Sequence, residues 1–148
     1  MITFQTTAVI KAPVEKVFAY VSDPKRIPEW RRDVPKVSEV KGQVQVGTTF
    51  FEEVNFLGTK QLLMKVTELV SNKKLVIEAQ GGMSLLPTQS FIFTPEGHST
   101  RIYLSVTIKT SGVFGLLGFM LKSRREKTWK EYFLNLDSIL GKSANPFQ

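Results

Sequence analysis

Thr128-Trp-Lys-Glu-Tyr-Phe-Leu-Asn-Leu-Asp-Ser-Ile-Leu140 sits near the end of a 148-residue chain and decides how the rest is read. Trp129, Phe133, Leu136 and Leu140 recur at i, i+4, i+7 and i+11, so at about 100° per residue they share one helical face. Almost everything upstream has the alternation of β-strand, and a sheet with one apolar face needs a cover. This helix is the expected cover. Towards its N-terminus the pattern breaks. Relative to the Trp129 face, Leu116, Leu117 and Met120 point to the far side, and Gly118 and Lys122 fall where apolar residues belong. Either the helix bends between Gly118 and Ser123, or Val113 to Leu121 forms a separate apolar loop.

The strands read outward from that helix. Ile2 to Ile10 alternates, with Ile2, Phe4, Thr6, Ala8 and Ile10 on one face. Ala12-Pro13 stops it and opens a helix, since proline suits the first helical turn and Glu15 suits its positive end. Val14, Val17, Phe18 and Val21 form that helix's apolar stripe, and Ser22-Asp23-Pro24 ends it. Lys25 to Trp30 reads as a second short helical turn, and Val37 to Val40 as a second strand. Thr48 to Phe56 and Lys60 to Leu69 form a hairpin. A Leu57-Gly58-Thr59 loop would pair Phe56 with Lys60, Val54 with Leu62, Glu52 with Met64 and Phe50 with Val66. Strands are expected at Leu75 to Gln80, at Thr88 to Thr94 with Phe91 and Phe93 inward, and at Thr100 to Thr110 with Ile102, Leu104, Val106 and Ile108 inward. Gly81 to Pro87 reads as a loop, and Pro95-Glu96-Gly97-His98 as a turn. Short connections between consecutive strands imply an antiparallel sheet. The whole chain, 1–148, reads as one α+β domain with no internal repeat or linker.

Composition narrows the function classes. With no cysteine and a single histidine, His98 in the expected turn, a zinc or haem site is not expected and no cofactor is called for. Gly112, Gly115 and Gly118 follow a strand but lack the spacing and the βαβ setting of a dinucleotide fingerprint. No basic leader with an apolar core precedes the first strand, and no apolar run approaches the roughly 20 residues of a membrane span, so a soluble cytoplasmic protein is expected. The net charge is +7. Lys122, Arg124, Arg125, Lys127 and Lys130 form one basic cluster, and Lys25, Arg26, Arg31 and Arg32 a second. Cations beside an apolar segment suit peripheral contact with an anionic membrane. No nucleic-acid recognition motif accompanies them, which argues against that partner.

Ile10-Lys-Ala-Pro-Val-Glu-Lys-Val-Phe-Ala-Tyr-Val-Ser-Asp-Pro-Lys-Arg-Ile-Pro-Glu-Trp30 resembles the opening of the polyketide cyclase/dehydrase and lipid-transport superfamily, whose members share the START and Bet v 1 helix-grip fold. Val46-Gly47-Thr48, Val66-Thr-Glu68 and Phe133-Leu-Asn-Leu136 also look like it. The resemblance implies a curved antiparallel sheet of about six to seven strands wrapped around the long C-terminal helix, with an apolar cavity between them. It implies a hydrophobic or amphipathic small-molecule partner such as a lipid, polyketide or quinone, carried or sequestered, or else a cyclase or dehydratase reaction on a polyketide-like substrate. A third class is a protein that docks on a membrane or macromolecule through its basic face.

Candidate lining residues under this reading are Trp30, Phe50, Glu52, Val54, Phe56, Met64, Phe91, Phe93, Leu104, Val106, Met120, Arg125 and Trp129. Glu52 is aimed between Phe50 and Val54. An inward carboxylate pairs with a cation, binds a polar ligand group or titrates high. It is the one weak catalytic candidate, as a general acid or base; otherwise it lies at a watered mouth. Arg125, one turn before Trp129, would meet a ligand anion, pair with Glu52, or snorkel to solvent. Trp30 would line the cavity or anchor the short helices.

Overall fold

The computed structural model describes residues 1–55, 58–82, 85–109 and 118–143. Seven strands form one antiparallel sheet: β1 Ile2–Ile10, β2 Lys36–Ser38, β3 Thr49–Asn55, β4 Thr59–Val70, β5 Lys74–Gly81, β6 Leu86–Glu96 and β7 Ser99–Lys109. Their spatial order is β1-β7-β6-β5-β4-β3-β2. Helix α1 (Val14–Val21), a 3₁₀ turn (Pro24–Arg26) and α2 (Ile27–Trp30) follow β1, and α3 (Gly118–Ser143) closes the described chain. This is the helix-grip architecture.

Local chemistry sets each boundary. Ser22 ends α1, its N–H and its hydroxyl both donating to the Phe18 carbonyl. The Asp23 carboxylate then accepts from the Lys25 N–H at 3.1 Å and starts the 3₁₀ turn. Both prolines of β6 lie inside the strand rather than in flanking loops. They fall outside Thr88–Ile92, the segment paired with β5, so neither removes a donor from that ladder. The β6–β7 turn shortens to Gly97-His98, with Gly97 at φ 61° and His98 exposed.

The β3–β4 pairing differs from expectation by two residues. Asn55 pairs with Thr59, Val54 with Lys60, Glu52 with Leu62 and Phe50 with Met64. Gly58, at φ 96°, lies before Thr59 and brings the chain back one residue earlier than a loop ending at Thr59 would. A shift of two keeps every side chain on its face, because strand periodicity is two. Phe50, Glu52, Val54, Leu62, Met64 and Val66 all remain buried. Register shifts at Leu63/Met64 and Val66/Glu68 interrupt the β4–β5 ladder and bend the sheet. Beside them, at φ 117°, Gly82 passes so close to Gln61 that a Cβ would lie 2.1 Å from its carbonyl oxygen.

Helix α3 is pinned across the sheet at two points. Asp137 accepts from the Lys11 N–H at 2.8 Å where β1 ends. Asn135 donates to the carbonyls of Glu29 and Trp30 at 3.3 Å each, capping α2. The described part of α3 begins at Gly118, and residues 110–117, with most of the glycine-rich run, lie outside the described residues. Beneath α3 an aromatic group fills one part of the core. Trp30 stands 6.0 Å from Trp129 and 6.1 Å from Phe133, ring to ring, and Phe91 meets Trp129 at 5.9 Å. Ring pairs at these separations each add about 0.5–1.5 kcal/mol beyond their burial. No described helix is long and apolar enough to cross a membrane.

Candidate functional site

The remaining space between sheet and α3 is a partly open pocket of ≈ 80 Å³. Since one water needs roughly 10–15 Å³ of such space, it has room for several. Val54, Leu62, Val106, Ile108 and Leu121 supply apolar wall, and Arg31, Asp33, Glu52, Gln89 and Arg125 supply a polar end.

Arg31 reaches that end because α2 stops beneath it. Its N–H still closes the last turn on the Ile27 carbonyl at 2.9 Å, but its own backbone is extended, at φ −117° and ψ 111°. The side chain is 4% exposed, and its guanidinium carbon lies 4.7 Å from the centre of the Trp129 ring. Nη2 donates to Asp33 Oδ2 at 3.4 Å and Nη1 to Gln89 Oε1 at 3.5 Å. Arg125 donates to the same Asp33 oxygen at 3.3 Å from α3. Glu52, 2% exposed, holds Oε2 3.8 Å from Arg31 Nη1, beyond hydrogen-bond reach. Glu52 Oε2, Asp33 Oδ1 and Arg31 Nε have no hydrogen-bond partner. A buried polar atom left in this state is expensive unless something else bonds it.

Electrostatics divide the two acids. Burial raises the Asp33 pKa, but Arg31 and Arg125 outweigh burial and hold it below the usual carboxylate range. Burial likewise raises Glu52; the attraction of Arg31 opposes this, Asp33 adds to it, and the net shift is upward. Burial disfavours the Arg31 charge, yet Asp33 and Glu52 over-compensate and it stays cationic. Tyr132, buried and facing Asp33, is pushed up to about 12 and keeps its hydroxyl proton. Two acids about one guanidinium are thus shifted in opposite directions, a pattern that marks candidate sites of chemistry or binding.

Of the residues expected to line a cavity, Glu52, Val54, Val106, Arg125 and Trp129 lie on this pocket. Trp30, Phe50, Met64, Phe91, Phe93 and Leu104 are buried in the core and lie off its described wall. Met120 is 75% exposed, because the first turn of α3 presents it to solvent and not to the sheet. Phe56 lies outside the described residues. Arg125 pairs with Asp33 rather than Glu52. Arg31 is not part of a surface cluster with Lys25, Arg26 and Arg32, but is the centre of the buried network.

Sequence reasoning missed Arg31, Asp33, Gln89 and Tyr132. Gln89 had a signal, since it continues the inward alternation of Phe91 and Phe93. Tyr132, three residues after Trp129, had a weaker one. Arg31 and Asp33 lie in a short irregular link with no periodicity to read. Among the described residues no cluster of His, Asp and Glu could hold a metal ion.

A sequence profile described as "Polyketide cyclase / dehydrase and lipid transport" matches residues 1–133. No match is found among curated proteins. Many solved structures share the fold, among them the following three. A START superfamily protein from Mycobacterium smegmatis is 17% identical, with a TM-score of 0.80 over 95% of this chain and 97% of its own. A protein from Thermus thermophilus is 18% identical, with a TM-score of 0.79 over 97% and 99%. The Zhui aromatase/cyclase from a Streptomyces species is 12% identical, with a TM-score of 0.78 over 97% and 96%.

Proposed function

The chain belongs to the polyketide cyclase/dehydrase and lipid-transport family, and on that premise we propose that it binds an amphipathic small molecule in the pocket between the sheet and α3. The apolar part of the ligand lies along Val54, Leu62, Val106 and Leu121, and its polar end meets the Arg31 network. The observation that carries this is the set of three buried, unbonded atoms, Arg31 Nε, Asp33 Oδ1 and Glu52 Oε2, beside open space. A protein that only filled its core would gain by replacing these groups with apolar ones. A ligand that bonds them makes their retention favourable. The space is small, so a long ligand seats its head here and runs outward past Leu121 and Ile108.

Native mass spectrometry of protein purified from its own host tests this, with Val106→Phe as the filled-pocket control. A small-molecule adduct carried by the wild type and lost in the variant is expected. An adduct that survives in Val106→Phe, or a wild type that neither carries an adduct nor shows NMR shifts at the pocket with short amphipaths, would sink the proposal.

A second reading is favoured by the raised pKa of Glu52. A carboxyl held neutral to higher pH beside a cation is suited to exchange a proton with a bound carbonyl compound, as a general acid or base. Deuterium exchange α to the carbonyl of a panel of enolisable ketones measures it. Glu52→Gln should lower the rate about 100-fold or more. Equal rates in the two proteins would leave binding as the function.

A further inference from the structure

We infer that the protein docks on an anionic lipid surface, with the mouth of the pocket turned towards the bilayer. The first turns of α3 carry this. Lys122 lies seven residues before Trp129 and so shares the sheet-facing side of the helix, yet it is exposed. The helix therefore overhangs the rim of the sheet at this end, beside the pocket wall that Leu121 supplies. Met120, 75% exposed, recurs with Arg124 and Lys127 at i, i+4 and i+7, and all three are exposed on the outer side of the helix. On the strand side of the mouth, exposed Lys60 stands opposite Val54, a lining residue, at the start of β4. Exposed Lys109 stands opposite Leu86, between lining residues Leu85 and Pro87, at the end of β7.

Among the described residues, none of Lys60, Lys109, Lys122, Arg124 and Lys127 is in an ion pair, whereas Lys11, Arg26, Lys74 and Arg101 are each held by an acid. Glu126, next to Lys127 and one turn from Lys122, forms no ion pair with either among these residues. Unpaired cations around an apolar opening match a bilayer of anionic lipid, where the charges meet headgroups and Met120 reaches the acyl boundary. A free polyanion would satisfy the cations and offer Met120 and the opening nothing. Docking mouth-down also spares a ligand the passage through water, which disfavours it about fourfold for each exposed methylene. Each base close to such a surface strengthens binding roughly fivefold.

Co-sedimentation of the full chain with vesicles of phosphatidylcholine, pure or with about one-third phosphatidylglycerol, tests this. The mixed vesicles should bind roughly tenfold tighter or better at low salt, and about 0.5 M salt should erase the difference. Lys122→Gln combined with Arg124→Gln should weaken binding about 25-fold, and Met120→Ser about threefold. Lys41→Gln combined with Lys73→Gln removes equal charge from exposed sites beyond the other ends of β3 and β4, and should cost less than about threefold. Equal binding to the two vesicles, insensitivity to salt, or an equal loss from the Lys41 and Lys73 changes overturns the proposal. So does a DNA oligonucleotide that binds tighter than the mixed vesicles and ignores Met120→Ser. Val106→Phe should sediment as the wild type does, which keeps a failure of the pocket reading distinct from a failure of docking.

Discussion

The space under α3 is used in two ways. Around Trp30, Phe91, Phe133 and Leu136 it is filled: ring centres lie 5.8–6.1 Å apart and the side chains are buried. Around Arg31, Asp33, Glu52, Gln89 and Arg125 the same layer is open and polar, with Arg31 Nε, Asp33 Oδ1 and Glu52 Oε2 left unbonded. Trp129 belongs to both, touching Phe91 and Phe133 with one part of its surroundings and the Arg31 guanidinium with another. The lesson is a division of labour inside one core. The aromatic part fixes α3 on the sheet firmly enough for the other part to remain under-bonded. Native cores tolerate buried polar groups where the surrounding packing supplies the stability.

Removing the shared residue should produce the largest effect. Trp129→Ala opens a cavity in the filled part and strips the cation–π cover from Arg31, so it should lower stability by about 3–5 kcal/mol in chemical denaturation. A loss under about 1 kcal/mol would mean that α3 is held by its pins, Asn135 and Asp137, and not by the rings.

Asp33→Asn comes next. It leaves two guanidinium groups without their shared anion, and should cost about 3 kcal/mol near neutral pH. The pKa of Asp33 is depressed in the folded state, so its contribution is present above the unfolded value, near 3.8, and is lost as pH falls through the folded one. The difference between wild type and variant should therefore close on acidification.

Glu52→Gln should act in the opposite direction and more weakly. The raised folded pKa of Glu52 means that its favourable contribution is complete below the unfolded value, near 4.5, and is lost as pH rises through the folded one. The variant should match wild type at low pH and exceed it by on the order of 1 kcal/mol at alkaline pH. A variant that matches wild type at low pH and falls below it as pH rises would show the Arg31–Glu52 attraction outweighing burial. The smallest effects belong to the exposed apolar residues of α3, Met120 and Leu134. Met120→Ser and Leu134→Ser should each stay within about 0.5 kcal/mol of wild type in thermal melts.

The sequence made the filled part far easier to read than the open part. Trp129, Phe133, Leu136 and Leu140 announce the sheet-facing side of α3 by spacing alone, and all four are buried. The β3–β4 hairpin shows why faces are more legible than register. A two-residue slip changed every partner and no face, because alternation encodes parity and only the turn encodes alignment. Glu52 was visible as an inward acid for that reason. Its cation was not. Arg31 sits in Trp30-Arg31-Arg32-Asp33, where nothing local separates the buried arginine from its exposed neighbour. That choice is made by the extended backbone after α2 and by a ring and a glutamine some 58 to 98 positions away in the chain. Met120 failed as a lining residue for a related reason: the phase of α3 is set by its later, tightly packed turns.

The order β1-β7-β6-β5-β4-β3-β2 also dictates a timetable. Among the described residues β1 has one hydrogen-bonded neighbour, β7, and Ile2 waits for Ile108. At 5–20 residues per second a ribosome needs on the order of 5–20 s to travel between them. Throughout that interval β1, with Phe4 and Ile10 on its apolar side, has no β7 to pair with, and the first strand made is completed only by the last.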